Sequence, residues 1–336
     1  MINLQIHIHK SIKKTFLKVF SIFVYLFICL FVYSVPVSAQ SLGLSISPPI
    51  DEIMIMPGKE ISQTFTITNN GEGGMASIYI IPFRAQGESG NVTLDEKEAI
   101  TSSSPFASWF SIISPVSTFG TKFYMTAGQS QSVEIRITPP GDAAEKDYYF
   151  TLLYELGGDI PLGIAPIGPN NQARIGANLL ISLSKDGKPP KTLNIVEFSA
   201  PKIIDSLGSL KFNIRLGNYE SYYYKPSGEI TIKSTFGVPE TLKLAPLNVI
   251  SNSIRNIPCI DGEETITCES GRKVLIGVYK SVIKVSTDEG STQEKSVTTI
   301  AFPFSIIIAI AVMVVTYRII KKTSKKDVYV LDKKPQ

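Results

Sequence analysis

Between residues 40 and 295 the chain alternates apolar and polar positions with a period of two, in short runs broken by Gly, Pro, Asn and Asp. Two runs show it most clearly. In Ser132–Thr138, Val133, Ile135 and Ile137 share one face while Glu134, Arg136 and Thr138 share the other. In Ile61–Asn69, threonines alternate with Phe65 and Ile67. This is the hydrophobic-in, polar-out signature of an antiparallel strand with one face on a core. The same reading predicts strands at Gly43–Ser47, Ala76–Phe83, Lys122–Thr126, Tyr148–Tyr154 and Ile175–Ser184. In the second half it predicts Leu193–Phe198, Leu210–Leu216, Gly228–Thr235, Thr241–Leu244, Lys273–Gly277, Lys280–Ser286 and Lys295–Ala301. Heptads and amphipathic helices are missing from the pattern. An all-β chain of this length, with turns such as Asn69-Asn70-Gly71 and Ala127-Gly128-Gln129, suggests two immunoglobulin-like β-sandwich domains. The polar, proline-bearing segment Lys185–Pro190 divides them, into 40–186 and 187–295. The Gly- and Pro-rich stretch from Gly157 to Asn171 is expected to be a loop inside the first domain.

Two long uncharged stretches bracket this region. Lys10, Lys13, Lys14 and Lys18 precede an apolar run from Val19 to Tyr33, and Val37-Ser38-Ala39 supplies small residues for cleavage. Residues 1–39 therefore read as a signal peptide. Ser296–Tyr317 carries no charge and is followed by Arg318, Lys321, Lys322, Lys325 and Lys326. As a helix it would be ~33 Å long, enough for a ~30 Å hydrocarbon core. The expected layout is a single-pass membrane protein with its β-domains extracellular, a transmembrane helix at 296–317 and a basic cytoplasmic tail at 318–336. Because the last strand runs into the span, the second domain is expected to be membrane-proximal.

That layout changes the charge. The chain has 33 basic and 29 acidic residues. Residues 1–39 hold four lysines and no acid, and residues 318–336 hold seven basic residues and two aspartates; the region between keeps 22 basic and 27 acidic residues, a net −5. Nucleic-acid binding, which needs a clustered basic face, is not expected. His7 and His9 both fall in the leader, so the displayed region has no histidine for acid–base catalysis or metal ligation. Ser270-Gly271-Arg272-Lys273 matches a Ser-x-x-Lys motif by letters only, since it precedes a strand where the motif needs a helix. The acidic clusters at Asp51-Glu52, Asp95-Glu96 with Glu98, and Asp261 with Glu263-Glu264 lack the spacing of a calcium loop and read as solvated turns. No enzymatic activity, catalytic residue, cofactor or metal is expected.

Four aromatic residues and two cysteines stand out. Cys259 and Cys268 are an even pair in an exported domain and are the disulfide candidates. Tyr222, Tyr223 and Tyr224, between Asn218 and Pro226, and Trp109, after a Ser-rich stretch, are the candidate ligand contacts. Exposed rings stack on sugars or anchor a protein partner; on a strand, at least one of three consecutive tyrosines must face inward. Tyr148 or Tyr149 is the candidate for a tyrosine corner.

The first domain opens with Leu42-Gly43-Leu44-Ser45-Ile46-Ser47-Pro48-Pro49, followed by Met56-Pro57-Gly58 and Asn69-Asn70-Gly71. It later carries Ile137-Thr138-Pro139-Pro140 and Tyr148-Tyr149. The second carries Gly217-Asn218, Lys225-Pro226-Ser227-Gly228-Glu229-Ile230-Thr231-Ile232 and Phe236-Gly237. In these segments and in layout the chain resembles the WxL-interacting proteins of bacterial cell walls. It departs from them in having no glycine directly before Tyr148 and in Thr151-Leu152-Leu153-Tyr154, where the family has paired glycines. The resemblance implies an immunoglobulin-like peptidoglycan-binding domain, a second β-domain and a C-terminal anchor. The expected function is a membrane-anchored surface protein attaching to peptidoglycan, another wall polymer or a surface protein. The alternatives are a protein-only scaffold or adhesion subunit acting by strand-edge pairing, and an exported hydrolase using carboxylates alone.

Overall fold

Period-two alternation is realised in two stacked pairs of sheets. The computed structural model describes residues 43–100, 104–157 and 173–331. From Leu44 onward they form one compact unit holding two separate hydrophobic cores. The signal peptide expected at 1–39 lies outside the described residues.

The first core is enclosed by β1 (Leu44–Ser47), β2 (Ile50–Ile55), β3 (Ile61–Asn69), β4 (Gly74–Gln86), β5 (Asn91–Leu94), β6 (Phe110–Ser114), β7 (Phe123–Met125), β8 (Ser130–Ile137), β9 (Asp147–Leu156) and β10 (Ala173–Leu183). One sheet runs β1-β3-β8-β6; the facing sheet runs β2-β10-β9-β4-β5, with β7 also paired to β4. Phe65 and Ile67 of β3 and Val133, Ile135 and Ile137 of β8 meet Ile78, Ile80, Phe150, Leu152, Leu179 and Ile181 from the opposite sheet. Residues 158–172, which hold most of the expected loop, lie outside the described residues. The strands on either side, β9 and β10, are antiparallel neighbours.

The second core, starting at Leu193, lies between β11 (Asn194–Ser199), β13 (Asn213–Asn218) and β16 (Ser253–Asn256) on one side and a larger sheet on the other. That sheet runs β12-β20-β19-β14-β15-β17-β18: β12 is Ile203–Asp205, β14 Ser227–Ser234, β15 Glu240–Leu244, β17 Cys259–Asp261, β18 Glu264–Ile266, β19 Gly277–Ser286 and β20 Thr292–Phe302.

The two sandwiches share one device. β1 pairs with β3 in one sheet; past Pro48-Pro49 the chain continues as β2 and pairs in parallel with β10 of the other sheet. β11 pairs with β13, and past Pro201 the chain continues as β12, parallel to β20. Proline has no N–H to give to a ladder, so the chain can leave one sheet there and join the other. Each sandwich also ties a strand entrance with a tyrosine. Tyr148 Oη donates to the Ala144 carbonyl at 3.3 Å, a tyrosine corner, and Tyr279 Oη accepts from the Ile276 N–H at 3.1 Å.

Two expectations are corrected. Lys273–Gly277 is not a strand: Leu275 turns into the core and its N–H donates to Ser206, and the strand opens only at Gly277, where φ is +92°. The uncharged stretch 296–317 is not one helix. Its first part completes β20, paired with β19 as far as Ala301 and with β12 through Phe302, so the second domain extends past 295. The burial alternation of Val297, Thr299 and Ala301 against Thr298, Ile300 and Phe302 is that of a strand. Helix α1 (Phe304–Leu331) begins only after Pro303, whose carbonyl accepts the Ile307 N–H at 3.1 Å. Among the described residues no helix is long and apolar enough to cross a membrane. Residues 304–319 are solvent-exposed throughout.

Asp205 fixes where α1 starts. Its Oδ1 accepts the Ser305 N–H at 2.8 Å and its Oδ2 accepts the Leu207 N–H at 2.9 Å. A carboxylate on the unpaired N–H groups of a helix start satisfies them and opposes the helix dipole favourably. The same bonds, Ser305 first, hold the Asp205 pKa below its ordinary value.

Cys259 and Cys268 form a disulfide across a sequence separation of 9, and both half-cystines are buried at the edge of the second core. Closing a loop of that size stabilises by roughly 2.5–3 kcal/mol in the chain-entropy account. Cys259→Ser/Cys268→Ser is therefore expected to lower the unfolding free energy by about that amount, read as a fall in the urea midpoint at unchanged slope. An unchanged midpoint would remove the bond from the stability of the domain.

Candidate functional site

The three consecutive tyrosines lie where the two sandwiches meet, and they are not free rings. Tyr222 is 6% exposed and its hydroxyl donates to the Leu183 carbonyl of the first sandwich at 2.8 Å. Tyr224 is fully buried in the second core, with its hydroxyl on the Gly217 carbonyl at 3.0 Å. Tyr223 is half-buried under the Lys191 ammonium, 5.9 Å from the ring centroid. Trp109, 5% exposed, packs edge-on against Tyr148 and Phe106 in the first core. The expected ligand role of Tyr222, Tyr224 and Trp109 is corrected accordingly: burial of large rings outweighs display, and the hydroxyls of Tyr222 and Tyr224 are used on backbone carbonyls.

What the tyrosines surround is a buried carboxylate. Asp147 opens β9 and is 6% exposed. It accepts from Ser182 Oγ at 2.6 Å and from Tyr149 Oη at 2.9 Å, both in the first sandwich, and from the Tyr223 N–H of the second. Its own N–H donates to the Ser221 carbonyl at 3.0 Å, and Tyr149 Oη accepts the Ser251 N–H at 2.9 Å. Burial pushes the Asp147 carboxyl above its ordinary 3.8, with the Ser182, Tyr223 and Tyr149 hydrogen bonds opposing it. Burial and the adjacent Asp147 charge push the Tyr149 phenol far up, so it is a neutral donor.

Charged pairs flank this centre. Glu52 of β2 meets Lys225 at 2.8 Å and the Asn248 amide at 2.7 Å. Burial works against the Glu52 charge, but these bonds outweigh it and hold its pKa below the ordinary value. On the other flank Glu88 forms a two-pronged pair with Arg215, whose other side holds Glu197 at 3.2 Å, and the Glu88 carbonyl accepts the Asn256 N–H at 2.8 Å. The sandwiches are thus joined by a buried hydrogen-bonded centre with an ion pair at each side.

Beside the joint is a pocket of about 90 Å³ lined by Ile50, Phe83, Asn178, Leu180, Asn248 and Arg255, among others. Among the described residues no carboxylate pairs with Arg255; its Nε and the Asn248 Oδ1 are buried without partners, and burial lowers the Arg255 pKa. Gly90 makes room for that guanidinium, since a Cβ there would lie 2.3 Å from it.

Ile50 also opens β2, the edge strand of its sheet. The Asn178 N–H donates to Pro49 and the Ser184 N–H to Ile55, so odd-numbered positions bond to β10 and the backbone groups of Ile50, Glu52 and Met54 face away from it. Ile50, Met54 and Met56 are exposed apolar side chains along this strand. The other edges of the first sandwich are blunter. β6 is bulged at Ile113 and followed by Pro115, and β5 has four residues. Half-buried Asp51 blunts the start of β2, and its second half is open. The alternation scan missed β2 because Ile-Asp-Glu-Ile-Met-Ile puts two acids in a row; the Pro48-Pro49 break ahead of it was the available signal.

No protein-family model and no curated protein matches the sequence. Among solved structures, the chain is similar to the E. coli chaperone DraB at 13% identity and a TM-score of 0.35, over 77% of this chain and 99% of that one. It is similar to the class 5 fimbriae chaperone CfaA at 13% identity and a TM-score of 0.37, over 78% and 100%. The Salmonella enterica SafA pilin–SafB chaperone complex matches at 11% identity and a TM-score of 0.35, over 78% and 98%. At such scores the overlap fixes neither the domain arrangement nor a function.

The joint carries a pH signature. An acid whose folded pKa is raised binds its proton more tightly folded than unfolded. Its contribution is greatest below the ordinary 3.8 and declines as pH climbs through the folded value. In urea titrations from about pH 4 to about pH 7, the unfolding free energy of the wild type relative to Asp147→Asn is expected to fall as pH rises. A pH-independent difference would mean that Asp147 titrates as an ordinary carboxylate.

Proposed function

We propose that the protein is a non-enzymatic, membrane-anchored surface protein that holds a protein partner by strand addition along β2. The observation that carries this reading is the open β2 edge: outward backbone groups at Ile50, Glu52 and Met54, with apolar Ile50, Met54 and Met56 beside them. Main-chain pairing supplies affinity in this mode, and side-chain pockets supply selectivity. The Arg255 guanidinium donates through Nη1 to the Asn248 carbonyl and keeps a free Nε; in the pocket that Ile50 lines, it offers an acidic residue of the partner a counter-charge. Methionine side chains adapt to partners of varied shape.

Display outside the cytoplasm is supported by the Cys259–Cys268 disulfide, a bond that persists in oxidising compartments. Anchoring is supported by α1. The uncharged part of α1, Phe304–Tyr317, is exposed along its length and carries apolar side chains on every side, a surface suited to lipid or a partner. The basic residues from Arg318 onward mark the cytoplasmic side. The wall-polymer reading implied by the resemblance is weakened by the burial of Trp109, Tyr222 and Tyr224, the rings expected to stack on sugar.

The test is Met54→Pro in the detergent-solubilised full chain. Proline there removes an N–H that faces away from β10 and leaves the ladder to β10 intact. A partner captured from host envelopes by the wild type is expected to bind the variant at least about tenfold more weakly, a loss of ~1.4 kcal/mol, while Met54→Leu retains it. Equal capture by Met54→Pro would exclude the edge. Equal sedimentation of both proteins with purified peptidoglycan, with no protein partner, would favour the polymer.

A further inference from the structure

We propose that the end of the second sandwich around the start of α1 is a membrane-seating surface, sunk into the lipid headgroup–acyl boundary. The inference rests on the anchoring reading above and adds to it a second lipid-contacting surface with a defined orientation.

The uncharged part of α1, Phe304–Tyr317, is only ~21 Å long as a helix, against a hydrocarbon core of ~30 Å. A span this short is accommodated by bilayer thinning or by drawing the flanking structure into the interface. The flanking structure is apolar. Ile203, Ile300 and Val278 stand in register across β12, β20 and β19, on the sheet face turned away from the core, and all three are exposed. Phe302 follows Ile300 on the same face, and its ring packs on Phe304 at the helix start, 4.9 Å between centroids.

Two loops extend the patch. Phe236 and Val238 are 68% and 80% exposed, the latter more than any other large apolar residue in the described structure. They are not loosely held. Arg272 donates to both of their carbonyls and to Ser234 Oγ at 3.0 Å, and the Thr235 N–H donates to the Val278 carbonyl at 3.0 Å. An arginine used in this way presents two hydrophobic side chains to the outside in a fixed loop. The second loop carries exposed Val274 and Ile276 and is tied to the β12 turn by the Leu275 N–H on the Ser206 carbonyl at 2.8 Å. Contiguous exposed apolar surface of this kind marks an interaction site.

Three observations favour lipid over a protein occupant. The patch is continuous, through Phe302 and Phe304, with the all-apolar helix. Phe302 and Phe304 sit at the junction, and phenylalanine is among the side chains that amphipathic elements bury at the headgroup–acyl boundary. Exposed Lys202 and Lys273 flank Ile203 and Val274, where anionic headgroups would meet them. Asp205 then sets the angle, because its bond to the Ser305 N–H joins the sheet to the helix start.

The experiment uses full-length protein in phosphatidylcholine–phosphatidylglycerol vesicles containing lipids brominated near the top of the acyl chain. Phe236→Trp and, separately, Val238→Trp add a reporter to a chain whose own Trp109 is buried in the first core. Flotation of the vesicles reads anchoring; bromine quenching reads seating. Seating predicts that the chains float and that the added tryptophan is quenched at least about twofold more than in the wild type. Chains that float without extra quenching at either position overturn the seating surface and leave the anchor standing. Chains that fail to float overturn the anchor, and this inference with it. An unquenched reporter accompanied by cross-linking between chains would assign the patch to a second copy, which also overturns it.

Discussion

The joint between the two sandwiches is organised around one buried carboxylate. Asp147 accepts hydrogen bonds from Ser182 and Tyr149 on its own side and from the Tyr223 N–H on the other. A buried charge that loses a partner is costly, far more than a surface pair is worth, because its solvation is not recovered inside the protein. The joint couples the two sandwiches: opening it would break the Asp147–Tyr223 bond, uncover Tyr222 and separate Glu52 from Lys225 and Glu88 from Arg215. Hydrogen-bonded centres of this type specify an arrangement more than they add stability, and the elevated Asp147 pKa is the trace of the cost.

The second constraint is the handling of sheet edges. In the second sandwich β11 is covered by its own neighbours: Gln293 bonds the backbone of Leu193 and Ile195, and Lys295 bonds the Ile195 carbonyl. β16 is met by the Glu88 loop of the first sandwich. In the first sandwich β6 is bulged. β2 is different, because its partner β10 lies on one side only and its neighbour across the joint reaches it through Glu52 and not through the backbone. An edge whose backbone groups face outward beside exposed apolar side chains is where pairing with a second protein costs least in rearrangement.

Much of the architecture was legible from alternation. β3 has the bounds read from Ile61–Asn69, and β8, β14 and β20 were found within a few residues because each shows one inward row; β9 and β10, buried on both faces, were found from their dense apolar runs. What was not legible is instructive. β2 and β12 are short, carry acids and pair in parallel, so periodicity does not mark them; only the prolines ahead of them, Pro48-Pro49 and Pro201, do. Tyr222–Tyr224 read as candidate contacts because exposed rings stack on sugars or anchor partners; only the fold shows a buried Asp147 beside them and backbone carbonyls for the Tyr222 and Tyr224 hydroxyls. The uncharged run 296–317 merges a strand with a helix. Hydropathy sums Val297, Ile300 and Phe302 with Ile306–Val315, whereas the threonines at 298 and 299 and Pro303 hold the information that separates them. The disulfide was readable from compartment and parity, although spacing alone did not require it.

The same boundary gives the molecule its mechanical logic. In the proposed binding mode, force on a partner at β2 would pass into β10, across the Asp147 joint to Tyr223, and through the sheet of β14, β19 and β20. It reaches α1 through Pro303 and, in parallel, through Asp205, whose carboxylate is bonded to the helix start from the neighbouring strand. No flexible linker interrupts this path among the described residues, since the last ladder pair, Asp205 with Phe302, lies only two residues before Phe304. A receptor meant to sweep a volume would place glycine or serine there. A strand that ends in proline, a capped helix and a fixed apolar rim instead give a stiff connection between the second sandwich and α1, which is what the proposed display of β2 over a membrane requires.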